Sequence, residues 1–578
     1  MSKTVGIDLG TTNSAVGIMV DGMPRLIPNA IGKYLTPSVI GIDESGEVLV
    51  GSSAKEYQTL QPERCVSGFK RRMGTNWNCK IDSHTFSAIE LSSLVLGSLK
   101  GDAESHLNTQ IHNAVITVPA YFNNDQRQAT IEAGKIAGFQ VERIINEPTA
   151  AALAYGVHET DTEKTIAVFD LGGGTFDISI VDFFEGAIEV RSSAGEAILG
   201  GEDFTRALAM AVLNEHSIIF EHAEVKSPKM VARLIQQCEN AKVALSKSDS
   251  FEIFIPDSNG DLAPEAKKFT VDRSLLNEAC EPILSRIAIP IRRAMGDAKL
   301  KRENLDQVIL VGGATRMPSI VGIASNLLGH SPSGSINPDE VVALGAVVQA
   351  GLIDQDQALD EVVVVDVAPF SLGVEIAKKI GDAQVSGYYL PIINRNTVIP
   401  TSRSHSVGTM VPNQQQIQIS VFQGEGRMVK DNLLLGKLLV DGIPLGPAGQ
   451  QVEIRFTYDS NGILEVETTV TETKKQAKLV ITKSGSNLSD SAIKKALASM
   501  AKLKIHPREK AENKFLMKRA ERLFQELPLG LRKELEFYLD SFESAMESHD
   551  AQQISGTRQQ LSLFLSAHDC SLDDDNID

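Results

Sequence analysis

The chain has 578 residues, 42% of them hydrophobic and 22% charged, which is too long for one core and too ordinary in composition for wholesale disorder, so roughly three to four globular domains are expected. Its formal net charge of −18, from 74 acidic against 56 basic residues, repels phosphate backbones and anionic lipid and argues against nucleic acid or membrane as a partner. Cys65, Cys79, Cys238, Cys280 and Cys570 are scattered without metal-ligand spacing and read as inert thiols of a reducing cytoplasm, and neither a signal-like N-terminus nor a run of 18 apolar residues is found.

In chain order, the first informative feature is a repeat. Ile7-Asp8-Leu9-Gly10-Thr11-Thr12 returns as Phe169-Asp170-Leu171-Gly172-Gly173-Gly174-Thr175. Each copy ends an apolar run and is followed by a second run with a turn: Ala15-Val16-Gly17-Ile18-Met19-Val20 before Asp21-Gly22, and Ile178-Ser179-Ile180-Val181 before Glu185-Gly186. Both predict strand, loop, strand and hairpin. Two similar α/β lobes closing on a common cleft follow from this. The stretch 345–352 reads as the end of a helix. Asp354, Asp356, Asp360 and Glu361 then mark a change of composition before Val362-Val363-Val364-Val365-Asp366. This run is either the first strand of a new domain or a linker that docks and undocks.

From residue 367 to 484 the pattern is strand-dominated. Ile417, Ile419 and Val421 alternate with Gln416, Gln418 and Ser420, and Asp459-Ser460-Asn461-Gly462 separates two apolar runs as a hairpin turn, so an antiparallel sandwich is expected. After Asn487 the period becomes helical, with Ser489 or Asp490 as the cap and Leu531, Leu535, Tyr538, Leu539 and Phe542 on one helical face. Residues 571–578 are acidic and read as frayed.

The chemistry sits in the loops. Small residues let backbone N–H groups approach phosphate oxygens, and hydroxyls can donate to them, so Gly10-Thr11-Thr12-Asn13 and Gly172-Gly173-Gly174-Thr175 qualify as a repeated phosphate-binding pair. Asp8, Asp170 and Asp177 would repel one another in a shared cleft without a cation, which implies Mg2+ held largely through its water shell. Leu199-Gly200-Gly201-Glu202-Asp203 and Val311-Gly312-Gly313-Ala314-Thr315-Arg316 add further turns, the second leaving a buried strand as ligand-binding loops of α/β folds do.

Gly6-Ile7-Asp8-Leu9-Gly10-Thr11-Thr12-Asn13-Ser14, Val118-Pro119-Ala120-Tyr121-Phe122, Asn146-Glu147-Pro148-Thr149-Ala150-Ala151-Ala152 and the segments 170–177 and 312–318 closely resemble the seventy-kilodalton heat-shock chaperone family, in order and over nearly the whole chain. Within it the chain is most similar to a bacterial heat-shock-cognate branch. The resemblance implies an actin-like ATPase domain with two ribonuclease-H-like lobes (1–355), a linker (356–366), a β-sandwich peptide-binding domain (367–486) and a short helical lid with an acidic tail (487–578). It implies a cytoplasmic, monomeric chaperone that hydrolyses ATP to ADP and takes up unfolded or extended polypeptides, with Mg2+ and K+ as cofactor ions, a J-domain co-chaperone and a nucleotide exchange factor.

Carried over residue by residue, the resemblance makes Asp8, Asp170 and Asp177 the organisers of the ions, and Thr11, Thr12 and Thr175 phosphate contacts. Glu147 would lie near the attacking water. Lys70 would stabilise the transferring phosphoryl group, although a lysine in Phe69-Lys70-Arg71-Arg72 would otherwise read as solvated surface. Nucleotide contacts are further implied for Gly10, Asn13, Gly172, Gly173, Gly174, Gly200, Gly201, Glu202, Glu239, Lys242, Ser246, Gly312, Gly313, Arg316 and Asp339. Glu239, Lys242 and Ser246 stand at i, i+3 and i+7, hence on one helical face. Pro119, Arg127, Arg143, the four valines Val362, Val363, Val364 and Val365, and Asp366 would couple the nucleotide to the peptide site, with Arg143 and Asn146 at the J-domain dock. Ile417 would form the apolar peptide pocket beside Ile419, with Met410 and Ala377 as an arch.

The chain departs from the family pattern in a longer stretch between Glu375 and Asn396 that carries Lys378-Lys379 and Tyr388-Tyr389, in a short segment between Arg72 and Val115, in Ala314 where a polar residue is usual, and in a short C-terminal helical region. The repeated loops alone are equally compatible with a small-molecule kinase or a filament protein of the same actin-like superfamily. Neither has a use for the β-rich region, the valine run and the C-terminal helices.

Overall fold

A computed structural model describes residues 3–156, 163–184, 187–262, 267–332, 336–356, 359, 363–380, 383–458, 464–481, 508–548 and 551–568. The repeat seen in the sequence is a repeat of topology. In the first lobe Thr4–Asp8, Asn13–Val20 and Met23–Leu26 form an antiparallel meander, Asn113–Val118 adds to Thr4–Asp8 in parallel, and Gln140–Asn146 adds in parallel to Asn113–Val118. In the second lobe Lys164–Leu171, Phe176–Phe184 and Ala187–Glu196 repeat the meander, and Gln307–Val311 adds in parallel to Lys164–Leu171. The Asp21-Gly22 turn has positive φ at both residues, 52° and 75°, the geometry of a two-residue hairpin whose twist matches its strands.

Each lobe has its own core, one around Ile7, Leu9, Phe69 and Leu91 and the other around Phe169, Phe176, Phe204 and Leu234. A third cluster joins the lobes at their base, where helices Glu147–Gly156 and Val341–Ile353 cross. The crossing is close because Gly345 has no side chain: a Cβ there would lie 1.6 Å from the Ala150 carbonyl oxygen. The helix expected near 345–352 is thus Val341–Ile353.

The valine run forms a strand, as one of the two readings left open by the sequence expects. Val363–Val367 is a strand, but it extends the second lobe's sheet, pairing in parallel with Ala187–Glu196 and antiparallel with Val398–Ile399 of the following region. Val362 lies outside the described residues.

The β-region consists of two four-stranded antiparallel sheets, in the orders 383–393, 372–380, 416–423, 433–441 and 401–408, 451–458, 464–470, 476–481. Val374, Ile419, Val421, Ile454, Phe456 and Val466 fill the space between them. The extra residues noted in the sequence lengthen one hairpin, Leu372–Ile380 with Ala383–Ile393. C-terminally, helices Arg508–Glu526, Leu529–Ser548 and Ala551–His568 share a small core that includes Leu535 and Phe542, with Leu531, Tyr538 and Leu539 packed against it. The turns at Glu185-Gly186 and Asp459-Gly462, the caps Ser489 and Asp490, and the tail 571–578 lie outside the described residues. Among the described residues no helix is long and apolar enough to cross a membrane.

Candidate active site

The acidic residues of the two repeats meet between the lobes. Asp8 ends the Thr4–Asp8 strand and accepts a 2.7 Å hydrogen bond from Thr117 Oγ1. Asp170 and Asp177 are direct cross-strand partners on adjacent antiparallel strands, a placement that sets two like charges against each other. Glu147, in the first turn of its helix and buried, faces the same group. Its Oε1 lies 2.6 Å from Lys70 Nζ, an ion pair whose side chains are 9% and 4% exposed.

This concentration of carboxylates is electrostatically costly as it stands. Burial pushes Asp8 up to about 6 and Asp177 up to about 8, and Glu147 adds to both shifts. Burial, then Glu147, Asp177 and Asp8, hold Asp170 well above the ordinary carboxylate range. Asp170 Oδ2 and Asp177 Oδ1 are buried, with no hydrogen-bond partner among the described residues. A bound cation would satisfy both atoms and lower all three groups.

The glycine loops surround these carboxylates. Gly201 N–H and Glu202 N–H donate to the Gly172 and Gly173 carbonyls at 2.9 Å, so the two loops of the second lobe brace each other. Gly312 has φ 85°, and a Cβ there would sit 2.4 Å from the Leu171 carbonyl oxygen. Only glycine lets this turn close on the Asp170 strand. In the first lobe Ser14 Oγ donates to Ser38 Oγ at 2.9 Å, and Ser38 Oγ donates to the Gly10 carbonyl at 2.8 Å, fixing the 10–13 turn. Thr11 and Thr175 are buried, and Thr12 Oγ1 reaches Glu202 Oε1 across the cleft at 3.4 Å.

Further along the cleft, Lys242 Nζ donates to the Gly201 carbonyl at 2.9 Å and to Glu239 Oε2 at 2.8 Å. Both residues lie on Pro228–Ala244. Ser246 does not share that face: the helix stops at Ala244 and Ser246 follows in the turn after it, so the i+7 spacing overran the helix end. Arg316, half exposed, is held by Asn337 Oδ1 and Asp339 Oδ2, both at 2.8 Å, and Asp339 also lies under Gly313.

The residues expected to relay the nucleotide state form a connected chain. Arg127 donates to the Ala120 and Phe122 carbonyls, the turn after Pro119, and to Asn146 Oδ1. Asn146 Nδ2 donates to Asp366 Oδ2 at 2.9 Å, and Thr149 Oγ1 donates to the same oxygen at 3.3 Å. Burial raises the Asp366 pKa, opposed by the Val367 N–H and the charges of Arg127 and Arg143. A cavity of about 30 Å3, large enough for a water molecule or two, opens beside Asp366, Arg143 and Tyr458.

Several functional-looking contacts were not anticipated. Arg71, which the sequence did not single out, crosses the cleft to Asp203 and donates to the Gly174 carbonyl at 2.9 Å. Arg395 grips Asp297 with two 2.9 Å bonds and Glu425 with one of 3.0 Å, tying the β-region to the second lobe. The Tyr121 and Phe370 rings meet edge-on at 4.8 Å. Nothing in local spacing marks these pairs, because the partners stand far apart in the chain.

In the β-region Met410 is 43% exposed and Ile417 is half-buried. Ile419 is 4% exposed and belongs to the sandwich core. Ala377 falls at the irregularity between Ile376 and Lys378 in the long hairpin.

Two matched lobes with glycine loops and clustered aspartates, a β-sandwich joined by a strand that docks on one lobe, and a helical appendage define a nucleotide-dependent, multidomain machine. The chain belongs to the Hsp70 protein family, whose model matches residues 4–571. Members of the family are ATP-dependent chaperones built from an actin-like ATPase, a β-sandwich and a helical lid. They bind ATP or ADP with Mg2+, bind unfolded polypeptides and work with J-domain co-chaperones.

Proposed function

We propose that this chain captures extended apolar polypeptide segments in cycles timed by its own ATP hydrolysis, as a cytoplasmic, monomeric chaperone of the bacterial heat-shock-cognate branch. Its domains are 1–355 for the ATPase, 356–366 for the linker, 367–486 for the peptide-holding sandwich and 487–578 for the lid and tail. The observation that carries this reading is the unbroken contact chain from Lys70 and Glu147, through the adjacent Asn146, to Asp366 on the docked linker strand.

Phosphoryl transfer to water needs positioning and charge neutralisation more than covalent chemistry. Asp8, Asp170 and Asp177 would hold Mg2+ and K+, which neutralise phosphate charge when bound. Lys70 meets the charge developing on the transferred group, and Glu147, freed from Lys70 by that shift, orients or accepts a proton from water. Thr11, Thr12, Thr175 and the glycine loops supply donors to phosphate oxygens. Glu239, Lys242, Arg316 and Asp339 line the nucleoside end.

Peptide would lie against Ile417, under Ala377 and Met410, with main-chain hydrogen bonds supplementing one buried side chain worth about 1.5–3 kcal/mol. So small a term makes capture promiscuous and leaves residence time to the lid. A J-domain partner at Arg143 and Asn146 and an exchange factor would set the ends of the cycle.

The test is single-turnover ATP hydrolysis with Mg2+ and K+, with and without an apolar peptide and a J-domain protein. Each is expected to raise the rate. Turnover indifferent to both removes the coupling, and transfer of phosphate to a small acceptor instead of water replaces the reading by a kinase.

A further inference from the structure

We propose that Lys378 and Arg427, gathered on the Tyr388 ring at the edge of the peptide site, form a carboxylate-binding rim, so that this protein selects extended apolar segments flanked by acidic residues. The inference rests on the peptide-holding reading above and names the class of polypeptide that the site takes.

The charge balance of the chain turns over in the β-region. Residues 367–486 hold twelve Lys and Arg against ten Asp and Glu, a surplus of two positive charges, in a chain whose formal net charge is −18. A basic island on an acidic protein draws acidic partners to itself while the rest of the surface repels them.

The strands Leu372–Ile380 and Gln416–Gln423 pair from Leu372 with Gln423 to Val374 with Val421 and no further, although both run on. Beyond that point each is bonded to its own hairpin partner, Ala383–Ile393 and Leu433–Asp441. The two hairpins therefore part there, with Ala377 on one and the half-buried Ile417 on the other. An extended segment seated between them has Lys378, the residue after Ala377, at its edge.

A β-bulge aims the cations. Ala377 alone stands against Ser386 and Gly387, between the pairs Ile376 with Tyr388 and Lys378 with Val385, and Gly387 has φ 91°. Such an extra residue bends its strand and redirects the side chains around it. Lys378 Nζ lies 5.1 Å from the centre of the Tyr388 ring, and Arg427 Cζ lies 5.7 Å from the same centre. The main chain brings Arg427 there: the Tyr389 N–H donates to its carbonyl at 3.1 Å, and Tyr388 bridges to Met428. Tyr388 is buried, whereas Lys378, Arg427 and their neighbours Lys379 and Lys430 are exposed.

A tyrosine ring attracts each cation, but two positive charges gathered on one ring repel each other. Among the described residues neither Lys378 nor Arg427 pairs with a carboxylate. Of the acidic residues near them in the chain, Glu425 is held by Arg395 and the Ser371 N–H, Glu375 and Asp431 pair with neither cation, and Asp382 lies outside the described residues. A carboxylate arriving on the bound polypeptide supplies the missing counter-charge.

The experiment titrates labelled short peptides with the full chain in ADP and Mg2+ and follows fluorescence anisotropy. The peptides share one leucine-rich centre and carry flanks of Glu, Gln or Lys. Glu flanks are expected to bind about tenfold more tightly than Lys flanks at low salt, because each exposed ion pair contributes only a few-fold and several act together. The ratio shrinks at high salt. Lys378→Gln and Arg427→Gln each lower the ratio about threefold, and the double variant brings it near one while the Gln-flanked peptide binds as it does to the parent. Both side chains are exposed, and thermal melting checks that each variant keeps its fold. Lys flanks that bind as tightly as Glu flanks, or a ratio unchanged in the double variant, overturn the rim and leave the peptide site in place. A parent chain that binds none of the three peptides overturns the peptide-holding reading, and the rim with it.

Discussion

Lys70 Nζ lies 2.6 Å from Glu147 Oε1, closing a buried ion pair between a short turn of the first lobe and the first residue of the helix that begins beside Asn146. Breaking such a pair from one side leaves a buried charge and costs about 3–5 kcal/mol. Lys70→Ala therefore has two expected consequences. The nucleotide-free chain melts at a lower temperature, and single-turnover hydrolysis falls by about 100-fold or more, while nucleotide affinity stays within about tenfold of the parent. A hydrolysis rate equal to the parent's removes Lys70 from the chemistry.

Asn146 and Asp366 carry the next prediction. Asp366→Ala takes away the acceptor shared by Asn146 and Thr149, and Val364→Asp puts a charge where a partly buried valine packs against the cluster joining the lobes. Both are expected to keep basal ATP turnover and to lose its stimulation by peptide. Turnover assays with a titrated apolar peptide decide the matter, and full stimulation in both variants would place the coupling elsewhere.

The grip of Arg395 on Asp297 is bidentate and about one quarter exposed, so a contribution of about 1.5 kcal/mol, after allowance for screening, is expected. Asp297→Arg should make the linker more accessible to protease in the presence of ATP, and adding Arg395→Asp should partly reverse that. Cleavage rates at the linker give the answer, with no change in either variant as the adverse result.

The clustered aspartates make stability depend on pH and on cations together. Folded pKa values of about 6 for Asp8 and about 8 for Asp177, raised by burial above their ordinary 3.8, mean that the folded state holds more protons than the unfolded state between those limits. Stability then falls as pH rises from about 4 toward 8. With chelator present the melting temperature is expected to drop across this window, and Mg2+ with ADP is expected to flatten the drop. A metal-free melting temperature that rises through the window contradicts the cluster's ionisation.

Much of the architecture was legible in the chain itself. The twin Asp-Leu-Gly motifs foretold twin lobes because a strand, a tight loop and a returning strand are set by local pattern and by glycine's conformational freedom. Alternation around Ile417 to Val421 foretold a sheet with one buried face, and Leu535 and Phe542 a helix with one buried stripe. The resemblance placed Lys70, which composition alone would have left on the surface. Local spacing failed at Ser246, because periodicity continues on paper past the Ala244 end of the helix.

The sequence by itself determined the matched lobes, the loops and carboxylates of the cleft, and the succession of lobes, valine run, strand-rich region and helices, since each of these depends on residues close together in the chain. Only the tertiary structure decided that Val363–Val367 joins the second lobe's sheet, that Arg71 reaches Asp203, that Arg395 holds Asp297, and that Arg508–Glu526 lies against Glu56 and Arg233. Those contacts join residues up to several hundred positions apart, and their strength comes from burying charge and ring surface between separately folded parts, which no local pattern records.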